Sequence, residues 1–161
     1  MDSYPIHKAS ADERAQAVQV RIRVFVDIQG FPLEEEVDEL DAEATHLVIL
    51  DPAKRDGKVI GTLRIIHSGD AAKIGRVVIL PEYQGKGLGR KLMEHAEQYV
   101  ATNARYRECS WTKLGSQYDK RMFYEKCGYV ARGDIYDDLG CPHVWMYKAI
   151  DRPEATAALA D

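Results

Sequence analysis

The first third of the chain shows a pattern of apolar and polar positions that predicts a strand followed by a helix. Residues 3–9 fit a first strand. Ser10 and Glu13 have the spacing of a capping box, in which each side chain bonds the other residue's backbone N–H, so a helix is expected to begin there and to reach about Asp27. The apolar stripe predicted for this helix consists of Val18, Ile22, Phe25 and Val26.

Turn-forming residues divide the next part of the chain. Gly30 and Pro32 end the helix, and the acidic segment 33–43 is expected to be a loop or a short helix. Residues 45–50 and 59–67 are rich in apolar and β-branched side chains. Because aspartate, proline and glycine residues lie between these two segments, they are predicted to pair as a hairpin.

The second half of the pattern alternates strands with helices. A strand at residues 74–80 precedes a helix at 88–102, whose inward positions are predicted to be Leu88, Leu92, Ala96, Tyr99 and Val100. A strand at 109–114 and a helix at 117–126 follow, and the last two strands, 129–135 and 143–149, are separated by a turn containing Gly140 and Pro142. A strand–helix–strand unit requires a parallel pair, whereas hairpins are antiparallel. The expected fold class is α/β (α+β), with a mixed, mostly antiparallel central sheet of about six to seven strands and helices on both faces.

Composition narrows the class of protein. For 161 residues with 45% hydrophobic content, we expect a single domain over residues 1–150 and a flexible C-terminal tail over 151–161. No apolar run approaches the roughly 20 residues that span a bilayer, and no secretory signal is evident. We therefore expect no membrane partner and a cytoplasmic location, with the nucleus as an addition. The net charge of −4 argues against a nucleic-acid partner.

The three cysteines, Cys109, Cys127 and Cys141, are odd in number and have no Cys-x-x-Cys spacing. That pattern disfavours both a disulfide framework and a structural zinc site, so we expect free thiols and no metal. Each cysteine also lacks an adjacent His/Asp arrangement in sequence, which disfavours catalysis through an acylated cysteine.

The most informative motif lies within residues 76–90, where a buried-strand pattern runs into a glycine-rich turn and then a helix. The first turn of a helix has backbone N–H groups without intrahelical partners, and glycines let a phosphate approach them. A P-loop would need Ser or Thr at position 87, where this chain has Gly87. A dinucleotide fingerprint would need Gly or Ala at position 90, where it has Arg90. The spacing that fits is Gln-x-x-Gly-x-Gly, at Gln84, Gly87 and Gly89.

This spacing resembles the acyl-CoA pyrophosphate loop of the GNAT superfamily of N-acetyltransferases. The segment FYEKCGY, residues 123–129, resembles that family's Phe-Tyr-x-x-x-Gly-Phe/Tyr pattern, with its tyrosine at Tyr124. Residues 23–46 and the segment GCPHVWM, residues 140–146, resemble the ElaA-like branch of the family. That branch typically has Val-Phe-Val-x-Glu-Gln, whereas this chain has Asp27-Ile28-Gln29 and so lacks the glutamate.

The resemblance implies that acetyl-CoA is the co-substrate. In the family, backbone N–H groups of the fourth strand bind the oxyanion, which here implies Val78 or Ile79. The tyrosine at the position of Tyr124 acts in many members as the general acid that protonates the thiolate. Residues expected to bind CoA are Val77, Val78, Ile79, Gln84, Gly85, Lys86, Gly87, Leu88, Gly89, Arg90 and Tyr124.

Transfer to an amine also needs a base, because a lysine-like ammonium group has a pKa of about 10.4 and is almost fully protonated at pH 7. GNAT proteins often use a glutamate on or near the fourth strand, but residues 76–80 contain no acid. His143 is the predicted base, since its Pro-His-x-x-Met context belongs to the resembling branch, and His67 is the second candidate. The acceptor is expected to be a small-molecule amine or an amino group of a peptide or sugar, bound by Glu36, Asp38 and His46.

Three functions remain open from the sequence. The first is a GNAT-type N-acyltransferase that moves an acetyl group directly from acetyl-CoA to an amine in a ternary complex. The second is a GNAT-fold CoA-binding module without efficient catalysis, which the missing acid on the fourth strand favours. The third is a nucleotide-binding protein unrelated to acyl transfer, supported by the glycine-rich turn alone. By analogy with such folds, a homodimer is a further expectation.

Overall fold

The computed structural model of the protein describes residues 3–152. Within them the chain forms seven strands: β1 (Ile6–Lys8), β2 (Thr45–Asp51), β3 (Lys58–Ser68), β4 (Ala71–Ile79), β5 (Trp111–Gln117), β6 (Val130–Asp138) and β7 (Cys141–Ala149). The α-helices are α1 (Ala11–Arg21), α2 (Leu33–Glu36), α3 (Leu88–Thr102) and α4 (Arg121–Lys126). Short 3₁₀ turns occupy Glu39–Ala42, Pro81–Tyr83, Ala104–Tyr106 and Tyr118–Lys120.

The strands form one mixed sheet in the order β1-β2-β3-β4-β5-β7-β6. β1 pairs antiparallel with β2, β2 with β3, β5 with β7, and β6 with β7. β4 pairs in parallel with β5 over Ala71–Lys73. The predicted fold class, a mixed and mostly antiparallel sheet of about six to seven strands flanked by helices, is therefore confirmed, and the sheet has seven strands.

The described chain divides into two compact units. The first unit contains residues 3–66 and 76–95, and the second contains 67–75 and 96–152. The expectation of a single domain over residues 1–150 stays a prediction, and residues 153–161 of the predicted tail lie outside the described residues. No helix within residues 3–152 is long and apolar enough to cross a membrane.

The predicted capping box begins α1. The Ser10 hydroxyl accepts from the Glu13 N–H at 3.2 Å, and a Glu13 carboxylate oxygen accepts from the Ser10 N–H at 2.9 Å. After Arg21 the helix continues as a π-helical segment over Ile22–Ile28. The predicted apolar stripe was wrong by about one position: Val18, Ile22, Phe25 and Val26 are half-buried, and the buried residues are Ala17, Val20, Arg21 and Val24.

The predicted hairpin of β2 and β3 is confirmed, and every residue of β2 is buried. Several other boundaries differ from the sequence expectation. β4 starts at Ala71 instead of residue 74, directly after a turn at Gly69 and Asp70, and β5 starts at Trp111 instead of residue 109. Pro142 lies within β7 and not in the turn before it.

The inward face of α3 is largely as predicted. Leu88, Leu92, Ala96 and Val100 are buried, while Tyr99 is half-buried and Met93 occupies a fully buried position. This 15-residue helix follows the glycine-rich turn without interruption, so the turn forms the helix's N-terminal boundary.

Candidate active site

The glycine-rich turn in the first unit has the backbone geometry of an anion site. The Lys91 N–H donates to the Gly87 carbonyl at 3.2 Å, which makes Gly87 the residue that caps α3. The N–H groups of Leu88, Gly89 and Arg90 consequently have no intrahelical acceptor. Gly85 and Gly87 have φ angles of 81° and 76°, and an added Cβ at either position would meet nothing within 4 Å. The turn is thus left-handed backbone with open space beside it.

The charged and polar side chains of this turn have different surroundings. Lys86 is exposed. Arg90 is exposed as well, and its Nε lies 3.3 Å from a Glu94 carboxylate oxygen one helical turn further on. The Gln84 side chain donates from Nε2 to the Ile79 carbonyl at 2.9 Å. Gln84 therefore ties the turn to the end of β4 through its side chain.

Two further contacts fix the 3₁₀ turn Pro81–Tyr83 that leads into the glycines. Arg23 makes a bidentate pair with Glu82, with N–O distances of 2.8 and 2.9 Å. The Tyr83 hydroxyl donates to Asp51 at 2.5 Å. This hydrogen bond to a carboxylate raises the pKa of Tyr83 to about 12 and lowers the pKa of Asp51. The segment that leads into the glycine-rich turn is thereby anchored to the π-helical segment after α1 and to β2.

The end of β4 contains the residues predicted to donate to the oxyanion and to bind CoA. Val78 and Ile79 are buried, and Val77 is half-buried. A Cβ on Gly61 of β3 would lie 2.5 Å from Ile79 Cδ1 and 2.8 Å from the Val78 carbonyl oxygen. Glycine at position 61 is therefore required for β3 to pack this closely against the end of β4. Arg76, before this segment, has a φ of 51°, in the left-handed region that residues other than glycine seldom adopt.

The acidic segment folds against three arginines of the first unit. Glu36 accepts from Arg21 Nε at 2.9 Å and lies 3.0 Å from Arg76 Nε. Asp38 accepts from Arg64 Nη1 at 2.7 Å and from Nη2 at 3.1 Å. Of these carboxylates, Glu36 is only 5% exposed. Arg21, at 1%, is among the most buried side chains. Glu36 and Asp38, predicted to bind a cationic acceptor, thus already have cationic partners.

Asp41 lies at the centre of this group. Its carboxylate accepts from Arg21 at 2.8 and 3.1 Å and from Arg64 at 3.0 Å. Burial alone would raise the pKa of Asp41, but the hydrogen bonds and charges of Arg21 and Arg64 outweigh it and lower this pKa to about 2. The hydrogen bonds from Arg64 likewise lower the pKa of Asp38. Three carboxylates and three guanidinium groups thus lie within ion-pair distance of one another. We call this set, Arg21, Glu36, Asp38, Asp41, Arg64 and Arg76, the charge cluster.

His46 on β2 borders the charge cluster. Its Nε2 lies 2.8 Å from the Asp41 carbonyl oxygen, which can only accept, so Nε2 carries the proton. Burial lowers the pKa of His46. The ring is thus neutral, and its N–H donates to the Asp41 carbonyl oxygen. That His46 contacts an acceptor substrate stays a prediction.

The second unit contains Tyr124, the predicted general acid. Tyr124 is half-buried on α4, its ring packing edge-on against Phe123 at 5.0 Å and Tyr129 at 6.2 Å between centroids. Its hydroxyl makes no hydrogen bond to any residue in the described range 3–152. Burial raises the pKa of Tyr124, so the phenol stays protonated throughout the physiological range.

The two predicted bases, His143 and His67, differ in environment. His143 is 8% exposed and its Nδ1 lies 2.8 Å from the Cys141 carbonyl oxygen. Because a carbonyl oxygen only accepts, Nδ1 holds the proton and Nε2 is left with its lone pair. His67 is exposed at the end of β3, its ring 6.2 Å from that of Tyr106. The contact with Cys141 therefore identifies Nδ1 as the donor nitrogen of His143, and the choice between His143 and His67 as the base stays a prediction.

Sequence reasoning missed a group of side chains on one face of β4, β5, β7 and β6 in the second unit. Cross-strand register and ring contacts place these residues together, and we call them the basic–aromatic face: Lys73, Trp111, Lys113, Arg132, Tyr136, His143, Trp145 and Tyr147. The alternation of Trp111 and Lys113 with buried residues was visible in the sequence. The strand register that brings these four strands together was not visible in the sequence.

No group of three or more His, Cys, Asp or Glu side chains in residues 3–152 is placed to hold a metal ion. Over the same range all three cysteines are free thiols, with Cys109 buried and the other two half-buried.

Comparison with known proteins places these features in a family. The Acetyltransferase (GNAT) domain profile matches residues 43–131, more than half of the chain. The uncharacterized N-acetyltransferase YjcF of Bacillus subtilis is 32% identical over 138 residues, which cover 85% of this chain and 93% of YjcF. The ElaA protein of Escherichia coli is 25% identical over 137 residues, covering 83% of this chain and 85% of ElaA.

Solved structures agree with these relatives. An acyl-CoA N-acyltransferase from Pseudomonas aeruginosa superposes with a TM-score of 0.74 at 29% identity, covering 91% of this chain and 99% of that one. The crystal structure of Escherichia coli ElaA also gives a TM-score of 0.74, at 22% identity, over 92% of this chain and 99% of ElaA. With the glycine-rich turn, the sheet order and these relatives in agreement, the chain belongs to the GNAT acetyltransferase family, in its ElaA-like branch, and is a GNAT-type N-acyltransferase.

Proposed function

We propose that the protein transfers an acetyl group from acetyl-CoA directly to a primary amine, with donor and acceptor bound together. The observation that carries this proposal is the turn at Gly85 and Gly87, which leaves three N–H groups free at the start of α3 beside the exposed ammonium group of Lys86. A pyrophosphate carries the charge and the acceptor oxygens that such a turn binds best.

Two proteins that share the fold of this chain were solved with CoA. A spermidine N-acetyltransferase from Vibrio cholerae was solved with CoA and spermine, and it superposes with a TM-score of 0.67 at 18% identity over 91% of this chain and 95% of that one. An aminoglycoside 6'-N-acetyltransferase was solved with coenzyme A, at a TM-score of 0.67 and 20% identity, over 93% of this chain and 99% of that one. At these identities the likeness concerns the fold, and the acceptor of this chain is therefore proposed from its own residues.

In the proposed mechanism His143 removes the proton from the acceptor amine. The hydrogen bond from Nδ1 to Cys141 holds the tautomer in which Nε2 is the free base, as a general base requires. The neutral amine then attacks the thioester carbonyl, and the N–H of Val78 or Ile79 donates to the oxyanion that forms. His67 remains the second candidate for the base.

Tyr124 is assigned to the departing thiolate. Its raised pKa means that the phenol is always protonated at neutral pH, and that complete transfer of the proton to a thiolate of ordinary basicity would be unfavourable. Tyr124 therefore acts by donating a hydrogen bond to the sulfur as negative charge develops there, with solvent completing the protonation. The transfer involves no acylated residue.

The alternative function, a CoA-binding module without efficient catalysis, is favoured by one specific feature. Residues 76–80 carry no carboxylate, so the fourth strand lacks the base that many GNAT proteins use. Under this alternative the glycine-rich turn binds CoA, but the protein does not raise the rate at which acetyl-CoA releases thiol in the presence of amines.

Two measurements test the proposal. Isothermal titration with acetyl-CoA, CoA and ATP identifies the donor, and we expect binding of the first two and none of ATP. A preference for ATP would contradict both CoA-based functions. Free-thiol release is then measured across polyamines, amino sugars, amino acids and peptides. Acceleration by at least one amine supports the enzyme, whereas tight CoA binding without release by any amine supports the binding module.

A further inference from the structure

The helix that carries Tyr124, α4, ends in a Schellman motif. The Tyr129 N–H donates to the Tyr124 carbonyl oxygen, and the Gly128 N–H donates to the Glu125 carbonyl oxygen, each at 3.0 Å. Gly128 has the positive φ, 96°, that this motif needs. A side-chain contact often accompanies the longer of the two hydrogen bonds, and here the rings of Tyr124 and Tyr129 meet edge-on. Tyr129 is therefore joined to Tyr124 by both backbone and ring.

The hydroxyl end of Tyr129 is held from two other elements. Tyr129 is 2% exposed. Its hydroxyl donates to a Glu97 carboxylate oxygen of α3 at 2.9 Å and lies 3.2 Å from Thr112 Oγ1 of β5. Burial, and then the charge of Glu97, raise the pKa of Tyr129, so the hydroxyl keeps the proton that it donates. A hydrogen bond to an ionised carboxylate is among the stronger ones in proteins, and this end of the ring is therefore fixed.

Lys148 of β7 links the same carboxylate to the end of α4. Its Nζ donates to the second Glu97 oxygen at 2.8 Å and to the Cys127 carbonyl oxygen at 2.8 Å. A Cβ at Gly128 would lie 3.2 Å from Lys148 Cε, so glycine there also leaves room for the lysine. We call Glu97, Tyr129 and Lys148 the α4 anchor. The anchor fastens the C-terminal end of α4 to α3 and to the sheet within the second unit.

Tyr124 has no comparable support of its own. Its hydroxyl makes no hydrogen bond to any of residues 3–152, so that end of the ring is not held by the described chain. Its ring packs against Phe123, which is 38% exposed, and against the buried Tyr129. Of these two neighbours, only Tyr129 belongs to the anchor. The position of the Tyr124 ring therefore depends on Tyr129.

We propose that Glu97, Tyr129 and Lys148 are positioning residues, which hold Tyr124 where its hydroxyl can donate to the departing thiolate. This inference rests on the proposed function, in which Tyr124 has that task. Placement matters because an error of about 1 Å in a reacting group can lower a rate about 100-fold. The anchor acts on the reaction through Tyr124, so its effect on the rate requires the Tyr124 hydroxyl.

Tyr129→Phe tests this dependence, because it removes the hydroxyl and keeps the ring. We expect kcat for thiol release to fall about fivefold and the affinity for CoA in calorimetry to stay unchanged. In a Tyr124→Phe background the same substitution should change kcat by less than about twofold, since coupled residues are not additive. Tyr99→Phe on α3 is the matched control. Its half-buried hydroxyl makes no hydrogen bond within residues 3–152, and kcat should not change in either background.

Glu97→Gln is a second variant that leaves the Tyr129 side chain intact. One oxygen of Glu97 accepts from Lys148 and the other from Tyr129. The amide nitrogen of glutamine cannot accept, so one of these two contacts must be lost. We expect kcat to fall in the wild-type background and to stay within about twofold in Tyr124→Phe. Urea unfolding establishes that each variant is folded under the assay conditions.

NMR of ring-¹³C-labelled tyrosine follows the position of Tyr124 without catalysis. The Tyr124 signal, assigned by its loss in Tyr124→Phe, should shift in Glu97→Gln and stay in place in Tyr99→Phe. If it shifts but no amine releases thiol, or Tyr124→Phe leaves kcat unchanged, the catalytic role of Tyr124 fails and the positioning of its ring stands. An unshifted Tyr124 signal overturns the inference. So does a loss of kcat that is as large in the Tyr124→Phe background as in the wild type, which is the result expected if the anchor only stabilises the fold.

Discussion

Asp41→Asn tests whether the charge cluster stabilises the first unit. The wild-type carboxylate has a pKa of about 2 against an ordinary value of 3.8, and one pKa unit is worth about 1.4 kcal/mol. Ionised Asp41 therefore contributes about 2 kcal/mol of stability above pH 4. Asparagine also places an amide N–H₂ against the buried guanidinium of Arg21, and removing one partner of a buried ion pair costs about 3 kcal/mol. We expect Asp41→Asn to lower the free energy of unfolding at pH 7 by about 3 kcal/mol.

The pH dependence has a definite sign. Because the pKa of Asp41 is depressed in the folded state, its contribution is complete above the unfolded pKa near 4 and is lost as pH falls through the folded pKa near 2. Urea unfolding at intervals between pH 7 and pH 2 should show the gap between wild type and variant narrowing by about 2 kcal/mol between pH 4 and pH 2. Carboxylates outside the charge cluster titrate in this window too, but they do so equally in both proteins.

Glu94→Gln provides the matched control, since the Arg90–Glu94 pair is exposed on both sides and such pairs contribute at most about 1 kcal/mol. A loss of less than about 1 kcal/mol in Asp41→Asn at pH 7, or a gap that stays constant down to pH 2, would show that the cluster is not coupled to stability as its geometry implies.

The remaining predictions concern the site. Gly87→Asp should abolish CoA binding in calorimetry, because it strains a φ of 76° and adds negative charge to the glycine-rich turn before α3. The control Gly69→Asp, at a φ of 62° in the β3–β4 turn, should leave CoA binding unchanged. Tyr124→Phe should lower kcat about tenfold or more and leave CoA affinity intact, and an unchanged kcat would remove Tyr124 from the reaction. His143→Gln should lower kcat/KM about 100-fold or more and remove the acidic limb of its pH profile, the mark of a general base; a retained limb would favour His67. Gly61→Val should lower the free energy of unfolding by about 2 kcal/mol or more, because its Cβ would overlap Ile79 and the Val78 carbonyl, and a neutral result in urea would show that β3 shifts readily.

Local signals explain what the sequence predicted well. The Ser10–Glu13 capping box, the hairpin of β2 and β3, and the turn before α3 each depend on residues within a few positions of one another. Side-chain hydrogen bonding at a cap and glycine at positive φ are determined by these neighbours, so spacing alone was sufficient.

Long-range pairing explains what the sequence did not predict. Hydrophobicity placed Val18 and Ile22 on the inner side of α1, whereas Arg21 is buried there because it pairs with Glu36 and Asp41, 15 and 20 residues away. The prediction that Glu36 binds a cationic acceptor did not anticipate this pairing either. A run of acidic residues indicates a solvated or ligand-binding face only if no arginine from a distant part of the chain pairs with it. The periodicity of the sequence does not reveal such pairing.

The basic–aromatic face was hidden for a related reason. Trp111 and Trp145 lie far apart in the chain, and only the register of β5 and β7 puts Trp145 opposite Gly115 and lets Tyr136 cross it. Alternation along one strand predicts a face, but the composition of that face depends on which strands are neighbours.

The glycine at position 115 has an evolutionary consequence. Any side chain there, even the methyl group of alanine, would occupy the place of the Tyr136 hydroxyl and force that ring to move. A single codon change can thus reshape the surface beside His143 while the glycine-rich turn before α3, which belongs to the other unit, keeps its sequence. A substitution at position 115 is therefore expected to alter the surface beside the proposed base and to leave the proposed CoA site unchanged.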